Sequence, residues 1–245
     1  MANTEVKNFY NETMPGKFGE DYEYTRWFKD EIQRVGYAQT KDAITVHVLD
    51  DAILDPSFIL ELGPGAATWT KHLLARFPDA SFDLLDISRE MLARSHKAIG
   101  ENAHVNYVES DILEWDPKGS YEFFFSSRVI EYIDDKKKFC EKIFSVLESN
   151  GRGFLITKMP HYERERLLRH AKSDLHQGQM APAVLRETLM SVGFIDVDCY
   201  PVTMVFPFLH SAFANKWIGR LFGSRTLGFF GMLFAESYCV VFRKP

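Results

Sequence analysis

Ile59-Leu60-Glu61-Leu62-Gly63-Pro64-Gly65-Ala66-Ala67-Thr68 is the stretch on which the reading of this chain turns. A short apolar run enters a small-residue turn, and an amphipathic segment follows. That order predicts a strand, a tight turn and a helix. Gly63 and Gly65 let the backbone turn sharply and come close to a ligand. The start of the following helix offers free backbone N–H groups and the positive end of a dipole, which suit a carboxylate or phosphate. Alone, such a turn serves equally well as a plain connection.

Downstream, short apolar runs alternate with amphipathic segments, the signal for βαβ units on a parallel sheet. Strands are expected at Phe58–Leu62, Ser81–Asp86, Val105–Glu109, Tyr121–Ser126, Gly153–Thr157, Phe194–Tyr200 and Tyr238–Phe242. Helices are expected at Thr68–Arg76, Arg89–Ile99, Asp135–Leu147 and Pro182–Ser191. The 135–147 helix has Phe139, Ile143 and Val146 on one face and stops at Asn150-Gly151. Upstream, Glu20–Val35 and Ala43–Leu54 read as two helices, the second stopped at Asp55-Pro56. The expected fold is α/β: a Rossmann-like, seven-stranded, mostly parallel sheet with helices on both faces. An antiparallel C-terminal strand and an N-terminal helical cap complete it. The divisions are 1–55 for the cap, 56–201 for the core, 202–235 for a hydrophobic insertion and 236–245 for the last strand.

The chain has 245 residues, 46% hydrophobic and 26% charged, enough for a large folded domain. Its net charge of −5 argues against a nucleic-acid partner, which usually meets a basic surface. Cys140, Cys199 and Cys239 are odd in number and widely spaced, so a reducing compartment is expected. No signal peptide and no spanning helix is read, and a soluble, cytoplasmic location follows as an expectation. His161, His170 and His176 do not share one helical face, so no metal site is expected. The run Glu163-Arg164-Glu165-Arg166 reads as a solvated helix face.

Three acids should share the carboxyl edge of the sheet: Glu61, Asp86 and Asp111. Asp86 follows Gly65 by about 20 residues, the interval of an acid that hydrogen-bonds ribose hydroxyls. Each alone is commonly a cap or turn residue. Together with the glycine turn they point to an adenosine-type ligand.

Residues 58–158 resemble the core of the class I S-adenosylmethionine-dependent methyltransferases, in the small-molecule branch. The Glu61-Leu62-Gly63-Pro64-Gly65 segment is similar to that family's first motif, and Leu85-Asp86-Ile87-Ser88 with Met91-Leu92 to its second. Ser110-Asp111-Ile112 resembles the third, and Phe124 to Ile133 the fourth strand and its exit loop. The resemblance implies S-adenosyl-L-methionine as cofactor and cofactor-binding roles for Glu61, Gly63, Gly65, Asp86, Ile87, Met91, Asp111, Ile112, Ser127 and Arg128. Gly63 and Gly65 would pass under the methionine part. Asp86 would bind the ribose and Asp111 the adenine amino group, flanked by Ile87 and Ile112. Two positions depart from the pattern: Ala67 stands for the loop's third glycine, and Tyr132 for a histidine of the exit loop.

Methyl transfer from a sulfonium is an in-line displacement that needs positioning more than acid–base chemistry. A base is required only when the acceptor must lose a proton. Candidate acceptor groups are Arg128, Glu131, Tyr132, Lys158, His161, Tyr162, Tyr10 and Tyr22. His161, just past a strand end, is the first choice as base, with Glu131 and Tyr132 beside it as catalytic candidates. In the insertion, Phe213, Trp217 and Leu221 repeat at helical spacing, and Lys216, Arg220 and Arg225 make the segment +3 without an acid. Three readings stand: packing on the sheet or on a second subunit, as in a homodimer; a wall over an apolar or lipid-like part of a small-molecule acceptor; or a peripheral membrane face. The glycine turn with Asp86 would also suit an NAD(P)-dependent oxidoreductase, and the whole could be a non-catalytic cofactor-binding interaction protein.

Overall fold

The computed structural model describes residues 3–19, 22–117, 119–160, 178–205, 211–222 and 231–245. Seven strands make one sheet: β1 (Phe58–Leu62), β2 (Ser81–Asp86), β3 (Val105–Glu109), β4 (Tyr121–Ser127), β5 (Leu147–Lys158), β6 (Ile195–Pro201) and β7 (Ser237–Arg243). Their spatial order is β3-β2-β1-β4-β5-β7-β6. Every pairing is parallel except those of β7, which runs antiparallel to both β5 and β6. The expected architecture is the one observed.

The strands are near-continuous apolar runs because helices cover both faces. Successive residues alternate between two cores. Leu60, Leu62, Phe124 and Leu155 join one cluster with α7 (Lys136–Val146) and α8 (Pro182–Val192). Ile59, Phe123, Phe125 and Phe154 join the other, with α4 (Glu31–Ile44), α5 (Thr70–Arg76) and Leu92 of α6 (Arg89–Ile99). Side-chain oxygens of Ser88 and Asp135 accept from the N–H groups of Met91 and Lys138 and so start α6 and α7.

Three boundaries differ from expectation. The sequence from residue 20 to 54 does not make two helices broken near residue 36. Instead α3 (Tyr22–Trp27) ends, Asp30 caps a new helix by accepting from Gln33 N–H, and α4 continues through a π turn to Leu49. The Gln33 side chain in turn accepts from Lys29 N–H, so a reciprocal polar box sets the break. Strand β5 begins at Leu147 rather than Gly153, with Asn150 at φ 66°. The ladder joining β6 to β7 also runs past residue 202, through Val202 N–H to Ser237 O (2.8 Å) as far as the Met204–Ala235 bridge. Ahead of α3 lie α1 (Asn3–Asn8), a π turn and α2 (Met14–Phe18).

Candidate functional site

The register brings the carboxyl ends of β1, β2, β3 and β4 to one edge. Leu62 lies beside Leu85 and Ser126, and Asp86 beside Glu109. The edge sits where the strand order reverses, between β1 and β4, which is where open α/β sheets bind ligands. Gly63 N–H donates to Leu85 O (2.8 Å), fastening the turn to β2. Ser126 Oγ donates to Leu62 O (3.0 Å), and Ser95 Oγ of α6 donates to Gly65 O (2.7 Å).

Gly63 has φ +69°, and a Cβ there would lie 2.2 Å from Val129 Cγ2, so the loop after β4 can close on the turn only over a glycine. Gly65, at φ +60°, faces open space. Ala67 keeps the backbone of the glycine it replaces, at φ 62°, and Arg128 holds φ 66° with its N–H donating to Ile156 O (2.8 Å). Left-handed backbone at two side-chain-bearing residues costs about 1–2 kcal/mol each, and such strain gathers at functional sites.

One cavity opens at this edge. From the sheet side Gly63, Gly65, Asp86, Ile87, Met91, Asp111, Ile112, Ser127, Arg128 and Tyr132 line it, ten of the thirteen expected site residues. From the cap come Val6, Tyr10, Tyr22 and Arg26. Asn11 pins the cap by accepting from Ser88 Oγ (2.8 Å) and Glu90 N–H (3.2 Å). The tyrosine hydroxyls of Tyr10 and Tyr132 meet at 3.1 Å across the cavity, with their rings edge to face. The space left inside is about 90 Å³, against roughly 300–1,000 Å³ for a small-molecule cleft, so the cap side chains narrow it.

The polar groups divide into acceptors at one end and cations at the other. Burial pushes the Asp86 carboxyl up to about 7, although the N–H groups of Ser88, Gly65 and Ile87 favour its charge. Asp111 Oδ1 accepts from Leu113 N–H (3.0 Å). Ser127 Oγ and Arg128 Nε are buried with no hydrogen-bond partner among the described residues. Arg26 Nη1 donates to Tyr22 Oη (2.9 Å), and burial, which opposes its charge, is outweighed by Tyr22, Tyr10 and Tyr132 around it. Arg128 is weakened as a cation by burial and supported by Glu236 and Glu131. Neither arginine has a carboxylate within salt-bridge distance among the described residues.

Three expected residues are not on the cavity wall. Glu61 is 2% exposed and sits behind the glycine turn, where strand alternation turns it to the α5 face; burial raises its carboxyl to about 8, and its Oε2 has no partner among the described residues. Glu131 points inward from a 3-10 turn, and its Oε2 accepts from Thr157 Oγ1 (2.9 Å). Its Oε1 is buried with no partner among the described residues, and the residue is not on the cavity wall. His161 lies outside the described residues, as do His170, His176 and the 163–166 run; among the described residues no group of His, Cys, Asp and Glu is arranged to hold a metal ion. Arg26 was not expected. A lone cation in an aromatic helix reads as a solvated residue, and the only hint is its place in the run Tyr22, Tyr24, Trp27.

Residues 59–151 match the family model described as "Methyltransferase domain". Over these residues the chain is therefore similar to a methyltransferase domain. Among curated relatives, malonyl-(acyl-carrier protein) O-methyltransferase 1 of Ilyobacter polytropus is 31% identical over 94 residues, covering 38% of this chain and 35% of the relative. Trans-aconitate 2-methyltransferase of Yersinia pestis is 28% identical over 136 residues, covering 55% and 50%. The chain thus spans about half or less of the curated relatives it matches. In overall shape the methyltransferase domain and its cap follow magnesium protoporphyrin IX methyltransferase from Synechocystis, solved with bound S-adenosylhomocysteine, at 17% identity and TM-score 0.66 over 99% of both chains. N-methyltransferase NodS from Bradyrhizobium japonicum, also solved with S-adenosylhomocysteine, aligns at TM-score 0.61 and 12% identity over 96% of this chain and 98% of that one. At such identities the likeness is one of fold. Within the described residues, no helix is long and apolar enough to cross a membrane.

Proposed function

We propose that this chain is an S-adenosylmethionine-dependent methyltransferase whose acceptor is a small molecule bearing a carboxylate. The observation that carries the reading is the cavity wall itself. A glycine turn, two carboxylates and two arginines with no salt-bridge partner among the described residues face one cavity at the switch point of the sheet. Bound there, the cofactor supplies a methyl group already activated by its sulfonium.

The residues present suit that group. Gly65 leaves room for the methionine part, and Gly63 lets the exit loop close beside it. The Asp86 carboxylate accepts from the ribose hydroxyls, and Asp111 from the adenine amino group, with Ile87, Met91 and Ile112 supplying apolar walls. Ser127 Oγ and Arg128 Nε, buried without partners, gain them from the methionine part's polar end. The Tyr10–Tyr132 contact, which joins the cap to the exit loop across the cavity, would have to yield to a larger ligand.

Two arginines match two carboxylates. Arg128, beside the glycine turn, faces the cofactor's own, and Arg26, among three tyrosines, faces the acceptor's. A carboxylate acceptor is already ionised near neutral pH and needs no base. That agrees with the cavity's own groups: burial raises Tyr10 well above the ordinary phenol value and Tyr132 to about 12, so both stay protonated and donate. His161 has no proton to remove in this reading. The relatives named for malonyl and aconitate substrates act on compounds that carry carboxylates. The described part of 202–235 does not line this cavity and lends no support to an apolar acceptor part.

The test supplies isotopically labelled donor with panels of carboxylic acids, amines and alcohols, after a thermal-shift comparison of S-adenosylhomocysteine and NADH. Stabilisation by the first ligand alone, and label recovered in a base-labile methyl ester, is expected. Label in an N-methyl product would overturn the acceptor assignment, and stabilisation by NADH alone would overturn the cofactor assignment.

A further inference from the structure

We propose that the outer face of α9 (Ala212–Phe222) is a docking surface for an anionic lipid bilayer. The periodicity of Phe213, Trp217 and Leu221 would normally mark the buried side of a helix. Here it marks the opposite side. Phe213 is 73% exposed, Trp217 53% and Leu221 48%, while Asn215 and Ile218 face inward.

The inward seam is narrow and largely polar. Gln39 of α4 donates through Nε2 to Asn215 O (3.0 Å) and accepts through Oε1 from Met204 N–H (3.0 Å). Gly219 lies so close to the Gln39 amide that a Cβ there would fall 2.3 Å from it. The helix is thus fixed in rotation, and its exposed stripe is held outward by a specific contact.

The exposed arc has its own order. With about 100° per residue, Lys216, Arg220, Phe213, Trp217 and Leu221 follow one another over roughly 140° of the helix. Leu233, 75% exposed, sits in the 3-10 turn that leads back to β7. Neither Lys216 nor Arg220 has a carboxylate within salt-bridge distance among the described residues. Lys216 and Arg220 also border the groove between α4 and α9, whose lining includes Glu31 and Asp42. The 202–235 stretch has three cations and no acid in a chain of net charge −5.

Cations bordering an aromatic stripe suit a helix lying in a bilayer interface, apolar side chains below headgroup level and Lys and Arg at the phosphates. A tryptophan, apolar with one N–H donor, favours that depth. A second copy of the chain would cover the stripe less well. Across a two-fold axis the same face meets itself and sets Lys216 and Arg220 against their own kind.

The test sediments the full chain with vesicles of equal parts phosphatidylglycerol and phosphatidylcholine, and with phosphatidylcholine alone. Binding to the anionic vesicles is expected to be at least about tenfold stronger, to weaken in high salt, and to shift tryptophan emission to the blue. The shift reports chiefly on Trp217, because Trp27 and Trp69 are buried and Trp115 is partly buried against the core. Phe213→Ser with Trp217→Ser should lower partitioning about tenfold or more. Lys216→Gln with Arg220→Gln should lower it about 25-fold, near fivefold for each charge. Both pairs alter exposed side chains, so circular dichroism and the thermal midpoint should stay as in the parent. A parent chain that remains in the supernatant overturns the proposal, as does binding indifferent to both pairs. A concentration-dependent dimer that Phe213→Ser dissolves would assign the face to a second copy instead.

Discussion

The site has two walls of different construction. One is the strand edge, where Gly63, Asp86, Asp111 and Ser127 are placed by backbone ladders in a sheet buried on both faces. The other is the cap, where Tyr10, Tyr22 and Arg26 are placed by short helices, π turns and side-chain hydrogen bonds. The first wall is rigid because any shift would break several ladders at once. Among the described residues the second is joined to the sheet by side chains alone, one of them Trp27 of α3, which packs into the core against Trp69. Rigid contacts suit a cofactor common to many acceptors, and a wall held by side chains suits the part of the site that decides which acceptor enters.

The largest expected effect breaks the rigid wall. Gly63→Ala would drive a methyl group into Val129 and impose left-handed backbone on a residue that resists it. A loss of about 2–4 kcal/mol in chemical denaturation is expected; an unchanged midpoint would show that the exit loop yields, and that this wall is no stiffer than the cap.

Asp86→Ala comes next, with cofactor-product affinity falling by about 1–3 kcal/mol in calorimetry. The same residue gives a pH test. Its carboxyl is raised to about 7 in the folded chain, above its unfolded value of 3.8, so the ligand-free fold holds this proton more tightly than the unfolded chain does. Its contribution to stability is therefore present at low pH and lost as pH rises through about 7. S-adenosylhomocysteine affinity runs the other way, strengthening over the same range as the carboxylate forms. Asp86→Asn should flatten both trends; affinity without pH dependence between 5 and 8 would remove the carboxylate from the binding step.

Arg26→Gln probes the wall held by side chains. A rise of about tenfold in the acceptor KM is expected, with S-adenosylhomocysteine affinity within about threefold of the parent. The reverse split would move Arg26 to the cofactor side and erase the division between the walls. The smallest effect belongs to Tyr10→Phe, which removes the hydroxyl bridging to Tyr132 and costs about 0.5–1.5 kcal/mol of closure. Stopped-flow release of S-adenosylhomocysteine should quicken up to about tenfold while equilibrium unfolding barely changes.

What could be read from the sequence follows the same line. Strands Phe58–Leu62, Ser81–Asp86 and Val105–Glu109 and helix Arg89–Ile99 appear at their expected residues, because uninterrupted apolar runs and a Ser88 cap leave the backbone few choices. The edge acids followed from them, since strand ends fix where a loop residue can go. The break within the cap did not follow. It is set by Asp30 and Gln33 exchanging hydrogen bonds with backbone N–H groups, a local polar device that apolar periodicity does not register. Glu61 and Glu131 lie near strand ends as read, but neither lines the cavity: each side chain turns inward, and its direction depends on a neighbour, Thr157 for Glu131. On α9, Phe213, Trp217 and Leu221 announced a helix and a shared face but left three readings of that face open, because periodicity tells which residues share a side and says nothing of what that side meets.

The position of β7 carries a consequence for how the chain is made. It is last of the strands in synthesis but lies between β5 and β6, pairing with both. Until it emerges from the ribosome, β6 has no strand beside it and β5 exposes an open edge of unpaired amides. The cofactor half, β1 to β4, is already whole by then. Assembly therefore has a natural pause, with a finished nucleoside-binding half waiting on a gap that one late segment must thread, and a nascent chain held at that stage is the form most exposed to pairing with a stranger.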